Sequence, residues 1–274
     1  LFLVCSQMLS VLNDRHVNFM SPFACSNSGS MHESSEAFSL ELLKQEYLQD
    51  IRNAGYGMFT YGRLRSDPTV GYLYIAGFAV GNSGLNQMQD WASDIDIIIR
   101  DLSDTKALIL DVRGNRGGLT GNVVRVSSRL AREHRVYAYS RTKNGKGPND
   151  FSQPVELEIK PEGSIRYTRP IFMLTNNETI SAGEYFTMAM ASQSHVTHVG
   201  SGTSGAFSLS LERPLPNGWR FTVSVQQLRR PDGSCPENTG IVPAEEHCVV
   251  NSSEDLDAGI DAQFEHALGL AVLQ

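Results

Sequence analysis

The sequence predicts an α/β fold, and three observations carry that prediction. Two almost wholly apolar runs, Ala107–Val112 and Pro170–Thr175, each pass through a polar turn into a stretch of helical period, as buried parallel strands do. Such strand and helix patterns alternate along most of the chain. With 41% hydrophobic and 19% charged residues over 274 positions, the chain can also bury a large core without disulfide or metal staples. In order, Leu1, Val4, Met8, Val11 and Leu12 recur at helical spacing, so the chain opens inside a helix, without a Met, and upstream sequence is expected. Residues 20–36 are rich in Ser, Asn and Gly and read as a loop; Ser39–Ile51 reads as a helix. Aromatic and branched residues make Gly71–Phe78 a strand, and Leu85–Leu102 a helix with Met88, Trp91, Ile95 and Ile98 on one face. After Ala107–Val112 come a Gly-rich loop, Arg113–Gly118, and a helix from Thr120 to Arg132. Arg135–Ser140 reads as a strand, and the alternating Pro154–Lys160 as a strand paired with Ser164–Thr168 across Pro161–Gly163. Beyond Pro170–Thr175 lie a helix at Ser181–Ser192, strands at Val196–Val199, Phe207–Leu211 and Phe221–Leu228, and a C-terminal helix at Leu256–Leu273.

Charge narrows the function. Twenty-three Lys and Arg stand against 30 Asp and Glu, a net −7. No basic stripe is present to neutralise phosphates, so no nucleic-acid partner is expected. No apolar run approaches the roughly 18 residues of a membrane span. Cys5/Cys25 and Cys235/Cys248 are spaced for two local bridges in an oxidising compartment, or are four buried thiols. His195 and His198 lack a third ligand nearby, so neither a metal nor a cofactor is expected.

Two strand ends carry unusual chemistry. In open α/β sheets ligands settle beyond the carboxyl ends of the strands. Gly117 and Gly118 follow Ala107–Val112, where paired glycines either make a tight turn or let backbone N–H groups approach a ligand. The loop lacks the spacing of nucleotide sites. Asp111 and Arg113 are placed to pair and hold it. Ser181 opens the helix after Pro170–Thr175. It is either an N-cap, with Glu184 completing a capping box, or a nucleophile whose oxyanion meets the Ala182 N–H.

Together these segments resemble the tail-specific, or C-terminal processing, serine peptidases. Leu108–Gly118 is similar to that family's "LDLRxNxGG" element, Thr179–Glu184 to "TxSAxE", His198–Gly205 to "xVGxxTxG", and Gly240–Pro243 to "GIxPD", with Ala244 where Asp is usual. The resemblance covers about Asn13 to Val250. One branch of the family uses a Lys after the "TxG" turn; here Ala206 and Phe207 follow, and no Lys precedes Arg213. The tricorn-core-like branch uses a His and a Glu, and Asp14-Arg-His16 resembles its "DxH", Glu237-Asn-Thr-Gly240 its "ENxG". Arg15 stands where the tricorn enzyme has a relaying Ser.

The resemblance implies a serine peptidase with Ser181 as nucleophile, His16 as general base and Glu237 as the acid that orients it. It implies an oxyanion hole from Ala182 and Gly117 or Gly118. Such a set answers a physical need: a serine hydroxyl requires a base within reach, imidazole titrates near neutrality, and a carboxylate fixes its tautomer. Implied too are a crotonase/ClpP-like spiral of β-α units, a peptide or protein substrate and an extracytoplasmic location. The expected organisation is an N-terminal helical and loop segment, 1–65, that contributes His16, and a peptidase core, 66–274. No segment is long enough to house the family's PDZ domain. His247 is the best substitute base; His32, His134, His195, His198 and His266 read as surface or strand residues. Two rivals remain: a ligand-binding shell of the same fold, as in retinoid carriers, and a crotonase-like enzyme on acyl thioesters.

Overall fold

The computed structural model describes residues 1–29, 38–79 and 91–274. His32 and the first part of the helix expected from Leu85, Met88 included, lie outside the described residues. Among the described residues the architecture is mixed α/β with three sheets.

The chain opens with α1 (Phe2–Ser10) and the strands β1 (Asn18–Ser21) and β2 (Ala24–Asn27). Next come a single turn α2 (Leu40–Leu42) running into a π-helical turn Leu43–Tyr47, then β3 (Leu48–Ala54), β4 (Phe59–Leu64) and β5 (Val70–Ile75). A 3-10 turn, Trp91–Asp94, leads into α3 (Ile95–Asp101), followed by β6 (Ala107–Asp111), α4 (Thr120–Leu130), β7 (Arg135–Thr142), β8 (Val155–Ile159) and β9 (Ile171–Thr175). The remainder is α5 (Ala182–Ala191), β10 (Val196–Gly200), β11 (Ser210–Pro214), β12 (Arg220–Ser224), β13 (Gln226–Arg229), α6 (Ser253–Asp257) and α7 (Ala262–Val272).

The main sheet has the order β10-β9-β6-β5-β4-β3. Neighbours from β10 to β5 are parallel, and β4 and β3 add antiparallel strands. Period-two alternation divides its side chains between two cores. Leu108, Leu110, Ile171, Met173, Leu73 and Ile75 face one side with α3, α4 and α5. Ala107, Ile109, Phe172, Leu174, Val70 and Tyr72 face the other, against Phe264, Ala267 and Ala271 of α7. Burial on both faces explains why β6 and β9 read as unbroken apolar runs. A second sheet, β11-β12-β1-β2, and a third, β13-β7-β8, flank this body.

Several expectations need correction. The segment read as a loop from residue 20 begins as a hairpin, with Asn18 opposite Asn27 and Ser21 opposite Ala24. The helix expected at Ser39–Ile51 stops at Tyr47, because Leu48 pairs with Leu64 and the chain runs on as the edge strand β3. Strand β8 pairs with β7 rather than with Ser164–Thr168. That second segment is drawn away: the Tyr167 N–H donates to Arg129 O and its hydroxyl meets Thr105 Oγ1 at 3.0 Å. Phe207 lies outside any strand, since its N–H faces a carboxylate instead of a ladder. The C-terminal helix breaks near Gly259 and restarts where the Asp261 carboxylate caps it, accepting from Phe264 N at 2.9 Å.

Candidate active site

Strands β6 and β9 are parallel neighbours, so their carboxyl ends deliver two loops to one edge of the sheet. The loops are stitched together. Ile180 N donates to Asn115 O at 3.0 Å, Thr179 Oγ1 to Val112 O at 2.8 Å, and Gly114 N to Asn176 Oδ1 at 2.9 Å. Gly117 has φ +79°, and a Cβ there would fall 2.7 Å from Ala182 N and 2.8 Å from Ser181 Cβ. Gly118 has φ +141°, and its Cβ would lie 2.1 Å from the Phe78 carbonyl carbon. Only glycine permits these approaches, Gly117 to the Ser181 turn and Gly118 to the Phe78 backbone. The two glycines differ in what they offer. The Gly117 N–H is spent on Asn115 Oδ1 at 2.9 Å, whereas Gly118 and Ala182 both line the cleft beside Ser181.

Ser181 has φ +59° and ψ −123°, a conformation that L-residues rarely adopt. An ordinary N-cap sits in the extended region, so the bland reading of Ser181 as a simple cap does not account for its backbone. Glu184 is what holds it. This carboxylate is fully buried; Oε2 accepts from Ser181 N at 3.1 Å and Ala206 N at 2.8 Å, and Oε1 from Thr203 Oγ1 at 2.7 Å and Gly205 N at 2.6 Å. Burial pushes the carboxyl up to about 7 against the pull of those four donors. The capping box that the three-residue spacing of Ser181 and Glu184 offers as one alternative is present, but the spacing carries no sign of the partners at 203–206. The same network joins two further motifs, as Ile241 N donates to Thr203 Oγ1 and Asn238 N to Gly205 O.

His16 reaches this edge from the second sheet. It precedes β1, which pairs with β12, and Thr222 Oγ1 donates to His16 O at 2.6 Å. The ring lines the same cleft as Ser181, a cavity of about 540 Å³ whose apolar wall includes Val123, Tyr137, Leu157 and Phe207. A ring nitrogen of His16, a carboxylate oxygen of Glu237 and one of Asp14 lie within 4.8 Å of one another. Nδ1 of His16 is buried and makes no hydrogen bond. Burial lowers the imidazole pKa, with Asp14 opposing and Arg15 assisting. Burial, then the charge of Asp14, pushes Glu237 up to about 7. Glu237 Oε2 accepts from Phe207 N at 3.3 Å. Arg15 turns away from the pair, donating to Ser204 Oγ and, at 3.5 Å, to Asn177 O. Asp14, His16 and Glu237 are also the one trio among the described residues close enough to be weighed as metal ligands. Asp14 already spends Oδ1 on the His16 amide and Glu237 Oε2 on Phe207.

The competing histidines sit elsewhere. His247 Nδ1 lies 3.2 Å from His266 Nε2, His134 pairs with Glu158, and His195 with Leu130 O. The His198 Nε2 lies 2.7 Å from Thr175 Oγ1, and desolvation of the ring, with the charge of Arg230, pushes its pKa down to about 3. Arg113 does pair with Asp111, and sequence reading missed the rest of that cluster: Asp261 accepts from it at 2.8 Å and Gln263 at 3.1 Å, all fully buried. The cysteines are unbridged thiols, three of them exposed, so the buried-thiol reading does not hold.

Comparisons with known proteins converge on one family. The peptidase family S41 model matches residues 69–247. The carboxy-terminal processing protease CtpA of Bacillus subtilis is 28% identical over 138 residues, 50% of this chain and 28% of that protein. A carboxyl-terminal-processing protease of Synechocystis sp. is 24% identical over 213 residues, 75% of this chain and 44% of that protein. The match thus spans less than half the length of these curated relatives. A crystal structure from Parabacteroides merdae, of a candidate peptidase, superposes with a TM-score of 0.85 at 31% identity over 98% of this chain and 82% of that one. With the family model covering well over half of its length, the chain belongs to peptidase family S41.

Proposed function

We propose that this cleft hydrolyses peptide bonds of a protein or peptide substrate through an acyl-enzyme on Ser181. The observation that carries the reading is the Ser181 turn: a strained serine at the start of α5, opening into one cavity with His16, Gly118 and Ala182. In this reading His16 takes the Ser181 hydroxyl proton as Oγ attacks the scissile carbonyl, and returns it to the leaving amine. The Gly118 and Ala182 N–H groups stabilise the oxyanion, aided by the positive end of α5. Gly117 acts through its shape, because its own N–H already has an acceptor. Water then enters by the same base and frees the acyl group. Glu237 supports the imidazole from behind.

The processing-protease relatives support this substrate class. With it go the division into an N-terminal segment of residues 1–65 that delivers His16 and a core of 66–274, the first segment also lending β3 and β4 to the main sheet, a crotonase/ClpP-like spiral, and an extracytoplasmic location. No helix among the described residues is long and apolar enough to cross a membrane. The test is a serine-directed phosphonate with mass mapping. Label on Ser181, lost in Ser181→Ala together with cleavage, is expected; cleaving protein that carries no label at Ser181 would refute the assignment. His16→Ala should lower turnover on the order of 10²–10⁴-fold with the fold retained.

A further inference from the structure

We propose that the acid serving His16 is a carboxylate pair, in which Asp14 carries the charge felt by the imidazole and Glu237 shares its proton. This rests on the reading of His16 as the base.

The geometry comes first. Asp14 Oδ1 accepts from the His16 backbone N–H at 2.7 Å, a two-residue loop that turns the carboxylate back over the residue it holds. Asp14 is itself pinned from behind, its N–H donating to Ser28 Oγ and its carbonyl accepting from the same hydroxyl at 2.8 Å. Glu237 arrives from the opposite end of the chain, fixed by Phe207 N. One oxygen from each carboxylate and one ring nitrogen lie within 4.8 Å of one another, and all three residues are half-buried. Two carboxylates that close, partly shielded from water, repel one another. Glu237 is the member pushed up, to about 7, with Asp14 the largest charge upon it. Asp14 is the carboxylate whose charge raises His16.

The remaining charges around the set are few. Arg15 lowers His16 but spends its guanidinium on Ser204 and Asn177. Glu184 acts on Glu237 from α5, and Tyr185 stands beside them. Lys143 lines the cavity of about 360 Å³ behind Asp14 and Glu237, turned to Gly147 O and the Phe151 ring. Asp14 is therefore a positioning residue that acts through His16. When the Ser181 proton reaches His16, the new imidazolium meets the Asp14 carboxylate, while the proton on Glu237 stays in place.

The experiment titrates His16 by NMR in the intact Ser181→Ala chain, which needs no turnover and so is independent of the peptidase assignment. Asp14→Asn should lower the His16 pKa by about one unit, and Glu237→Gln by less. Asp14→Ser separates charge from scaffolding, because its hydroxyl can still accept from the His16 amide. It should shift His16 as Asp14→Asn does, whereas Asp14→Glu should restore the wild-type value. In the active chain, Asp14→Asn should cut kcat/KM about 10- to 100-fold at neutral pH and move the acid limb to lower pH. A His16 pKa that moves with Glu237→Gln and ignores both Asp14→Asn and Asp14→Ser would overturn the proposal and leave Glu237 as the sole acid.

Discussion

The two halves of the cleft are built to different standards. Ser181, Gly118 and Ala182 stand at the ends of β6 and β9, strands in which every residue is buried. His16 stands at the head of β1, in a sheet whose four strands bury one residue, Phe19, and beside a helix, α1, that buries none. The first half is fixed by the main core. The second is fixed by a small aromatic cluster, Phe19 with Phe2 and Trp219 at 4.9 and 5.6 Å and Phe23 against Trp219. In the proposed mechanism the oxyanion donors must be preorganised where charge develops, and the parts of a site that move are drawn from elements that open at lower cost. The unit bearing His16 is thus the weaker part of the site.

The largest expected effect lies on the strong side. Arg113 is buried between Asp111 and Asp261. Arg113→Met would strand two carboxylates in the core and should cost about 3–5 kcal/mol by urea denaturation. A cost below about 1 kcal/mol would mean that the main-sheet half is not the firm one. On the weak side, Phe19→Ala removes a side chain that is 2% exposed, at an expected cost of about 3–5 kcal/mol confined to its own sheet. Hydrogen exchange should then accelerate at residues 18–27 and 220–224 while β6 and β9 stay protected. Phosphonate labelling of Ser181 should slow as His16 is released. Uniform acceleration across both regions would erase the contrast.

Glu184→Gln has an intermediate effect, and its pH dependence has a definite sign. Each carboxylate oxygen accepts two donors, so an amide must turn N–H groups toward two of them, at about 1–3 kcal/mol, with kcat lowered on the order of 10-fold or more. The folded carboxyl sits near 7, above the roughly 4.3 of an unfolded glutamate. The folded state therefore binds the proton more tightly between those values, and wild-type stability falls as pH rises through that window. The variant lacks this slope, so the stability gap between the two proteins should narrow from pH 5 to pH 8. A gap that widens instead would mean that the four donors outweigh burial.

The same contrast explains what the sequence made legible. Ala107–Val112, Pro170–Thr175 and the Ser181 turn could be read because parallel burial leaves unbroken apolar runs and the loops carry their chemistry in contiguous motifs. The weak side could not be read in that way. Residues 18–27 are too polar to signal a strand, yet they pair, because Phe19 alone faces inward and β12 supplies the partner. The strands near 207–229 were anticipated with shifted bounds, since the Ala206 and Phe207 N–H groups serve Glu184 and Glu237, nothing in their own residue types marking it. The weight of Glu184 and Asp261 is hidden in the sequence for one reason: their partners lie 19 to 22 and 148 positions away along the chain, beyond any local pattern.

The smallest expected effect tests the outermost part of the weak side. Leu3 and Met8 of α1 are 75% and 70% exposed, so a hydrophobic residue there removes little area from water in the folded chain. Leu3→Ser and Met8→Ser should each change stability by no more than about 0.5 kcal/mol and leave turnover unaltered. Phe2 provides the internal standard on the same helix, because its ring stacks on Phe19 and lies 5.9 Å from Trp219. Phe2→Ala should cost about 1 kcal/mol or more and slow labelling of Ser181. If Leu3→Ser matched Phe2→Ala in either readout, the outer face of α1 would be a packed surface in the working protein, and the His16 half would be as firmly held as the half that carries Ser181.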